Sequence, residues 1–135
     1  MKHLVAALIA LTLGLAGTAT VAHAKSSRTT NYTYKQVWPT AIRLLRVDRG
    51  LTVIEKDAEA GYVLFEMTEN NKTFRGALEL VRVQASSGRP QIRVVVRIKD
   101  RPSYLEVAIL QHLKRKLREE YGPEPPYTPA EKKPK

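Results

Sequence analysis

The 135-residue chain contains no cysteine, and beyond its N-terminal leader it has a single histidine, His112. Without cysteine the chain can form no disulfide bond and cannot carry a lipid on an N-terminal cysteine. A lone histidine does not supply the set of about four ligands that a zinc ion requires. We therefore expect no metal site and no cofactor.

Catalytic motifs are equally scarce. No glycine-rich phosphate-binding loop is present. Ser86, Ser87 and Ser103 fit a turn and a helix start, and no base is placed to activate a serine nucleophile. The acidic stretch around Glu55, Asp57 and Glu59 fits either a weak cation site or a charged hairpin tip. We expect no catalytic residue, so a small hydrolase is the least supported function.

The first 24 residues predict an export signal. Lys2 precedes an apolar run over residues 4–16, and Ala22-His23-Ala24 places small residues where a signal peptidase cleaves. Gly14 and Gly17 interrupt a run already too short for about 30 Å of hydrocarbon. We expect cleavage after Ala24 and a periplasmic or secreted protein with no remaining transmembrane span.

Basic residues outnumber acidic ones by 23 to 13. Removal of residues 1–24 leaves 111 residues with a net charge of +9, because the leader holds one lysine and no acid. This charge favours an anionic partner, namely an acidic protein, lipid headgroups or an acidic envelope polymer. Nucleic acid is not expected outside the inner membrane, and solubility alone is a second explanation of the charge.

Polar and proline-rich segments mark the domain boundaries. Residues 25–31 predict a flexible N-terminal segment, and residues 123–135 predict a disordered tail rich in proline and lysine. Residues 32–122 remain for a single domain, which is long enough to bury its own core.

Two segments have the apolar spacing of helices. In the first, before Gly50, Pro39 predicts a late start or a kink. The second, before Gly122, opens with Ser103 and Glu106 at capping-box spacing. The two apolar stripes comprise Val37, Trp38, Ala41, Ile42, Leu44 and Leu45 in the first helix, and Val107, Leu110, Leu113, Leu117 and Tyr121 in the second.

Four strands lie between the helices. In the first two, Leu51, Val53, Val63, Phe65 and Met67 share one face. For the last two, pairing of Gln84 with Gln91 aligns the largest apolar set and places Arg82 opposite Arg93. That set is Val81, Val83, Ile92, Val94, Val96 and Ile98. Leu78 and Leu80 then fall on the other face, as a second apolar patch or through a bulge near Glu79.

The order of these elements predicts an α+β fold: helix, four-stranded antiparallel meander, helix, with both helices on one face of the sheet. The predicted core contains Trp38, Leu45, Phe65, Val94 and Leu113. The opposite face carries the candidate binding residues Arg75, Arg82, Arg93, Arg97 and Lys99. This basic face is either a site for an anionic partner or a solvated surface.

Residues of the first half of the chain carry a family resemblance. Trp38, Ala41 and Leu45 on a helix, then Gly50, and Asp57 and Gly61 in an acidic turn resemble domains of BamC-type outer-membrane assembly lipoproteins over about residues 34–67. The resemblance implies a non-catalytic envelope accessory domain. It transfers no functional residue, and the lipidated cysteine of that family is missing.

The sequence thus favours an exported, non-enzymatic envelope binding or accessory module that contacts an anionic partner through a basic sheet face. The alternative is a small periplasmic inhibitor or ligand-binding protein, with a groove between the helices and the sheet.

Overall fold

A computed structural model describes residues 26–126, which form a five-stranded antiparallel sheet and two helices. The predicted signal peptide and the last nine residues of the predicted tail lie outside this range. The elements in chain order are β1 Ser26–Thr30, α1 Tyr34–Arg43, a π-helical turn Leu44–Asp48, β2 Thr52–Asp57, β3 Tyr62–Glu69, β4 Lys72–Gln84, β5 Pro90–Ile98 and α2 Ser103–Tyr121. The α+β class and the antiparallel sheet are confirmed.

The strand count is the first difference from the expectation. The sheet order is β1-β5-β4-β3-β2, so β1 adds a fifth strand beside β5. This strand occupies part of the segment that we expected to be flexible. Its sequence, SSRTT, has no apolar alternation, so its order comes from antiparallel backbone pairing with β5, from Ser26 opposite Val96 to Thr30 opposite Ile92.

Both helices pack against one face of the sheet and share a single core. The buried residues of α1 and the π turn, Val37, Ala41, Leu44 and Leu45, belong to the same cluster as those of the strands and α2. The strands and α2 contribute Val63, Phe65, Leu78, Leu80, Ile92, Val94, Val96, Ile98, Ile109, Leu110, Leu113 and Leu117. Of the five predicted core residues, all but Trp38 are buried.

Trp38 is only partly buried, and it lies at the margin of the core. Its ring stacks on that of Tyr34, with 6.0 Å between the ring centroids. Pro39 does not delay the helix, since α1 begins at Tyr34, and it projects from the exposed side. The Gln36 side chain caps the start by accepting a hydrogen bond from the Thr33 amide at 2.9 Å.

The register of β4 and β5 differs by one residue from the expectation. Val83 lies opposite Gln91, Val81 opposite Arg93 and Arg82 opposite Ile92. A shift of one residue moves a strand's side chains to the other face. Leu78 and Leu80 therefore point into the core, whereas Val81 and Val83 do not, and no facing pair of Arg82 and Arg93 exists.

The start of α2 is also built differently. Pro102 holds the N-cap position, and the Glu106 side chain does not form the predicted capping box with Ser103. Its Oε1 instead accepts a hydrogen bond from the Ile98 amide at 3.3 Å, so Glu106 is buried and ties the helix to the end of β5. The positions predicted to complete the apolar stripe, Val107 and Tyr121, are exposed, and Ile109 is buried in their place.

The chain beyond α2 is held against residues 30–32 as far as Pro125. Glu124 Oε1 accepts hydrogen bonds from the Thr30 hydroxyl and the Asn31 amide. The carbonyl of Pro125 accepts from the Asn31 side chain at 3.2 Å, and that of Gly122 accepts from the Tyr32 hydroxyl. The first residues of the predicted disordered tail are thus part of the fold.

Candidate functional site

The face of the sheet opposite the helices carries most of the predicted basic residues. Side chains alternate between faces along a strand, and Ile92, Val94, Val96 and Ile98 of β5 are buried against the helices. Arg93 and Arg97 therefore project on the opposite face, where both are exposed. We call it the open face, because no helix within residues 26–126 packs on it.

Lys99 and Arg75 extend this row beyond the end of β5. The Lys99 amide donates to the Arg75 carbonyl at 2.9 Å, which continues the β4–β5 register by one pair. We define the basic strip as Arg75, Arg93, Arg97 and Lys99. The facing cations that sequence analysis assigned to Arg82 and Arg93 are in fact Arg75 and Lys99.

Three members of the basic strip have no acidic partner among the described residues. Arg75 alone is paired, with its Nε 3.8 Å from Glu66 Oε1, and its side chain is 79% exposed. Arg93 lies between Thr29 of β1 and Val81 of β4, while Arg97 lies opposite Ala77. The guanidinium groups of Arg93 and Arg97 and the ammonium group of Lys99 are therefore available to an external anion.

Apolar side chains lie between these cations. Val95 separates Arg93 from Arg97 and is only 9% exposed, although it is not part of the core cluster on the helical side. Val81 is 40% exposed on the neighbouring strand. Val81 is therefore the apolar side chain that lies exposed beside Arg93.

Acidic residues also lie on the open face. Glu79 lies opposite Val95, and Glu66 and Glu55 lie on β3 and β2. Acidic side chains thus border the basic strip, since Glu79 lies beside Arg93 and Arg97 and Glu66 lies opposite Arg75.

The acidic hairpin tip is engaged in its own hydrogen bonds. Asp57 Oδ1 accepts from the amides of Glu59 and Ala60, both at 2.9 Å. Glu55 accepts from the Tyr62 hydroxyl at 2.7 Å, and this bond raises the pKa of the Tyr62 phenol. Within residues 26–126 no group of three or more histidine and acidic side chains could hold a metal ion.

Arg82 lies apart from the basic strip, on the helical side of the sheet. Its guanidinium carbon is 4.1 Å from the centroid of the Tyr34 ring, a cation–π contact. Burial raises the pKa of the Tyr34 phenol, and Arg82 opposes that rise. Arg82 also lines a surface pocket of about 250 Å³ together with Tyr32, Tyr34, Pro90 and Ile92. A second pocket, of about 80 Å³, lies between α2 and the sheet and is lined by Val94, Leu110 and Leu113, so the alternative of a ligand groove between helices and sheet has a candidate cavity.

No protein-family model matches the chain, and no curated protein matches it significantly. Neither described helix is long and apolar enough to cross a membrane.

Proposed function

We propose that this protein is an exported, non-enzymatic binding module of the bacterial envelope, periplasmic or secreted, which contacts an anionic partner through the basic strip. The observation that carries the proposal is the open face of β5. There Arg93, Arg97 and Lys99 alternate with the core residues, project together and have no acidic partner within residues 26–126.

The chemistry of these side chains suits carboxylate or phosphate groups. The planar guanidinium group can donate two parallel hydrogen bonds to such a group, and it holds its charge at any physiological pH. Val81, which is 40% exposed, adds apolar contact area beside the charges. The anionic partner is an acidic protein, a lipid headgroup surface or an acidic envelope polymer, and the resemblance to BamC-type accessory domains favours an envelope role.

Charge reversal on β5 tests the proposal. We expect Arg93→Glu with Arg97→Glu to abolish binding to acidic envelope material, because the reversed side chains repel an anion and stand beside Glu79. Binding of the parent protein should weaken as salt is raised to physiological levels, where screening shortens to about 8 Å. Sedimentation with envelope fractions at two salt concentrations measures both effects.

A matched control distinguishes binding at the basic strip from a general effect of net charge. Lys35→Glu with Lys72→Glu makes the same change in net charge on exposed residues outside the basic strip. Both double variants should keep the parent's free energy of unfolding to within about 0.5 kcal/mol per substitution, as exposed positions do. The proposal fails if the β5 variant binds as well as the parent, or if the control loses binding equally.

A further inference from the structure

The pocket of about 80 Å³ lies at one edge of the sheet, between β1, β5 and α2. Arg28 lies opposite Val94 in the β1–β5 register, and Val94 is buried against the helices, so both side chains project on the helical side. On α2, a spacing of three and four residues brings one row of side chains to the same face. The row that lines the pocket is Leu110, Leu113, Lys114 and Leu117. Strand register and helical spacing thus direct both walls into the same space, which we call the edge cavity.

The inner wall of the edge cavity is apolar. Its side chains keep no more than 5% of their surface exposed, and they are Val94, Leu110, Leu113 and Leu117. An apolar cavity of about 150 Å³ in a protein core stays dry and binds benzene, a ligand of six carbon atoms. The edge cavity has about half that volume, so we expect it to hold an apolar group of about three carbon atoms.

The exposed rim of the edge cavity is positively charged. Arg28 and Lys114 line it, both are exposed, and neither has an acidic partner within residues 26–126. Glu124 is the one acid among the described residues that line the cavity, and its Oε1 already accepts hydrogen bonds from the Thr30 hydroxyl and the Asn31 amide. Two unpaired cations and one engaged carboxylate make the rim favourable for an anionic group.

We propose that the edge cavity binds a small monocarboxylate with a short apolar tail, the tail lying against Leu110 and Leu113 and the carboxylate at Arg28 and Lys114. Burial of the tail favours binding, while the carboxylate stays at the exposed rim and avoids the cost of burying a charge. The guanidinium group can donate to both oxygens of a carboxylate, and the ammonium group adds a further donor. The edge cavity lies on the helical side, so the proposal does not depend on the basic strip.

A series of straight-chain acids tests the apolar part of the site. Acetate, propionate and butyrate differ by one CH₂ group each, and every buried CH₂ should tighten binding about fourfold. Titration at constant ionic strength should give saturable shifts in the NMR resonances of the Val94, Leu110 and Leu113 methyl groups. Hexanoate should gain less per carbon, because its further carbons extend beyond the cavity. Equal affinities of acetate and butyrate, or no saturable shift with butyrate, would overturn the site.

Butyramide and butylamine test the role of the charges. Butyramide has the tail of butyrate without its charge, so it should bind about two- to fivefold more weakly, the effect of an exposed ion pair. Butylamine should bind more weakly still, because its ammonium group meets Arg28 and Lys114. Binding of butyramide as tight as that of butyrate would show that these cations take no part, and the proposal would be wrong.

Variants at the rim locate the carboxylate. Arg28→Gln and, separately, Lys114→Gln should each weaken butyrate binding about two- to fivefold and leave butyramide binding unchanged. The control Lys72→Gln removes one charge from an exposed position on β4 and should leave both unchanged. Equal losses in the rim variants and the control would reduce the effect to net charge and overturn the site. Arg93→Glu with Arg97→Glu should bind butyrate like the parent, which separates this test from that of the basic strip.

A variant that fills the cavity locates the tail. Val94→Ile adds one CH₂ group at the apolar wall, so it should weaken butyrate binding about fourfold or more and acetate binding less. Arg28 and Lys114 are exposed, so their variants remain informative if Val94→Ile lowers the stability of the protein. Unchanged butyrate binding in a folded Val94→Ile variant would mean that the tail does not enter the edge cavity, which contradicts the proposal.

Discussion

Replacing Phe65 by alanine should lower the free energy of unfolding by about 3–5 kcal/mol, the range observed for buried phenylalanines. The side chain is fully buried on β3, and it belongs to the cluster shared by both helices and the sheet. Neighbouring groups cannot easily collapse into the space, because the facing residue on β4 is Gly76. Urea denaturation followed by tryptophan fluorescence measures the loss, since Trp38 packs at the edge of the same core.

Substitution of Gly76 tests whether the Phe65 ring fills the space over this glycine. A Cβ atom at Gly76 would overlap the Cζ and Cε2 atoms of the Phe65 ring and would lie 3.1 Å from the Arg97 carbonyl oxygen. Gly76→Ala should therefore destabilise the protein by about 1–3 kcal/mol through overpacking. Because the ring is the main obstacle, adding Phe65→Leu should make the combined cost smaller than the sum of the two single costs. Strictly additive costs, or a neutral Gly76→Ala, would show that the ring does not occupy the space over the glycine.

Much of the helical side could be predicted because its apolar spacing has one interpretation. Val37, Ala41, Leu44 and Leu45 fit a single helical stripe, and all four are fully buried. Val63 and Phe65 alternate in the same way on β3 and are buried as expected. At these positions local periodicity and tertiary packing agree, so the sequence pattern alone identifies the buried residues.

The β4–β5 register could not be settled by the same reasoning, because β4 is apolar on both faces. Leu78 and Leu80 form one apolar row, and Val81 and Val83 form the other, so each register buries a plausible set. The turn decides between them. Ala85 and Arg89 pair across the turn, their backbone hydrogen bond being 2.8 Å, and Gly88 adopts a φ of +81° in the short loop between them.

Strand β1 was missed for a different physical reason. The strand is only five residues long, Thr29 and Thr30 are its only residues with high β propensity, and it has no apolar alternation. The hydrogen bond that holds the Thr30 side chain comes from Glu124, 94 positions away, and the paired backbone of β5 is more than 60 positions away. No local sequence pattern can predict contacts between residues so far apart in the chain.

The candidate binding residues also divide into those that the local sequence predicts and those that depend on the strand register. Arg93, Arg97 and Lys99 alternate with the core residues of one strand, so their shared face follows from the local sequence. The assignment of Arg82 depended on the register and moved with it.

The rotation of α2 about its axis determines which substitution in this helix should destabilise the protein most. The buried positions are Glu106, Ile109, Leu110, Leu113 and Leu117. From the sequence, Glu106 was predicted to form a capping box with Ser103, and Val107 was predicted to lie on the buried stripe. Burial of Ile109, Leu110, Leu113 and Leu117 accounts for this rotation. The Ile98 amide supplies one hydrogen bond to the Glu106 carboxylate that the rotation buries, and Glu106 Oε2 has no partner within residues 26–126.

Ile109→Ala should therefore lower the free energy of unfolding by about 2–5 kcal/mol, the range for an emptied isoleucine or leucine position in a core. Val107→Ala is the matched control on the same helix. Val107 is 40% exposed, so its truncation should change stability by less than about 0.5 kcal/mol. Urea unfolding of the two variants measures both costs under the same conditions. The opposite ranking would mean that α2 presents the face with Val107 and Tyr121 to the sheet, and that Glu106 does not reach the end of β5.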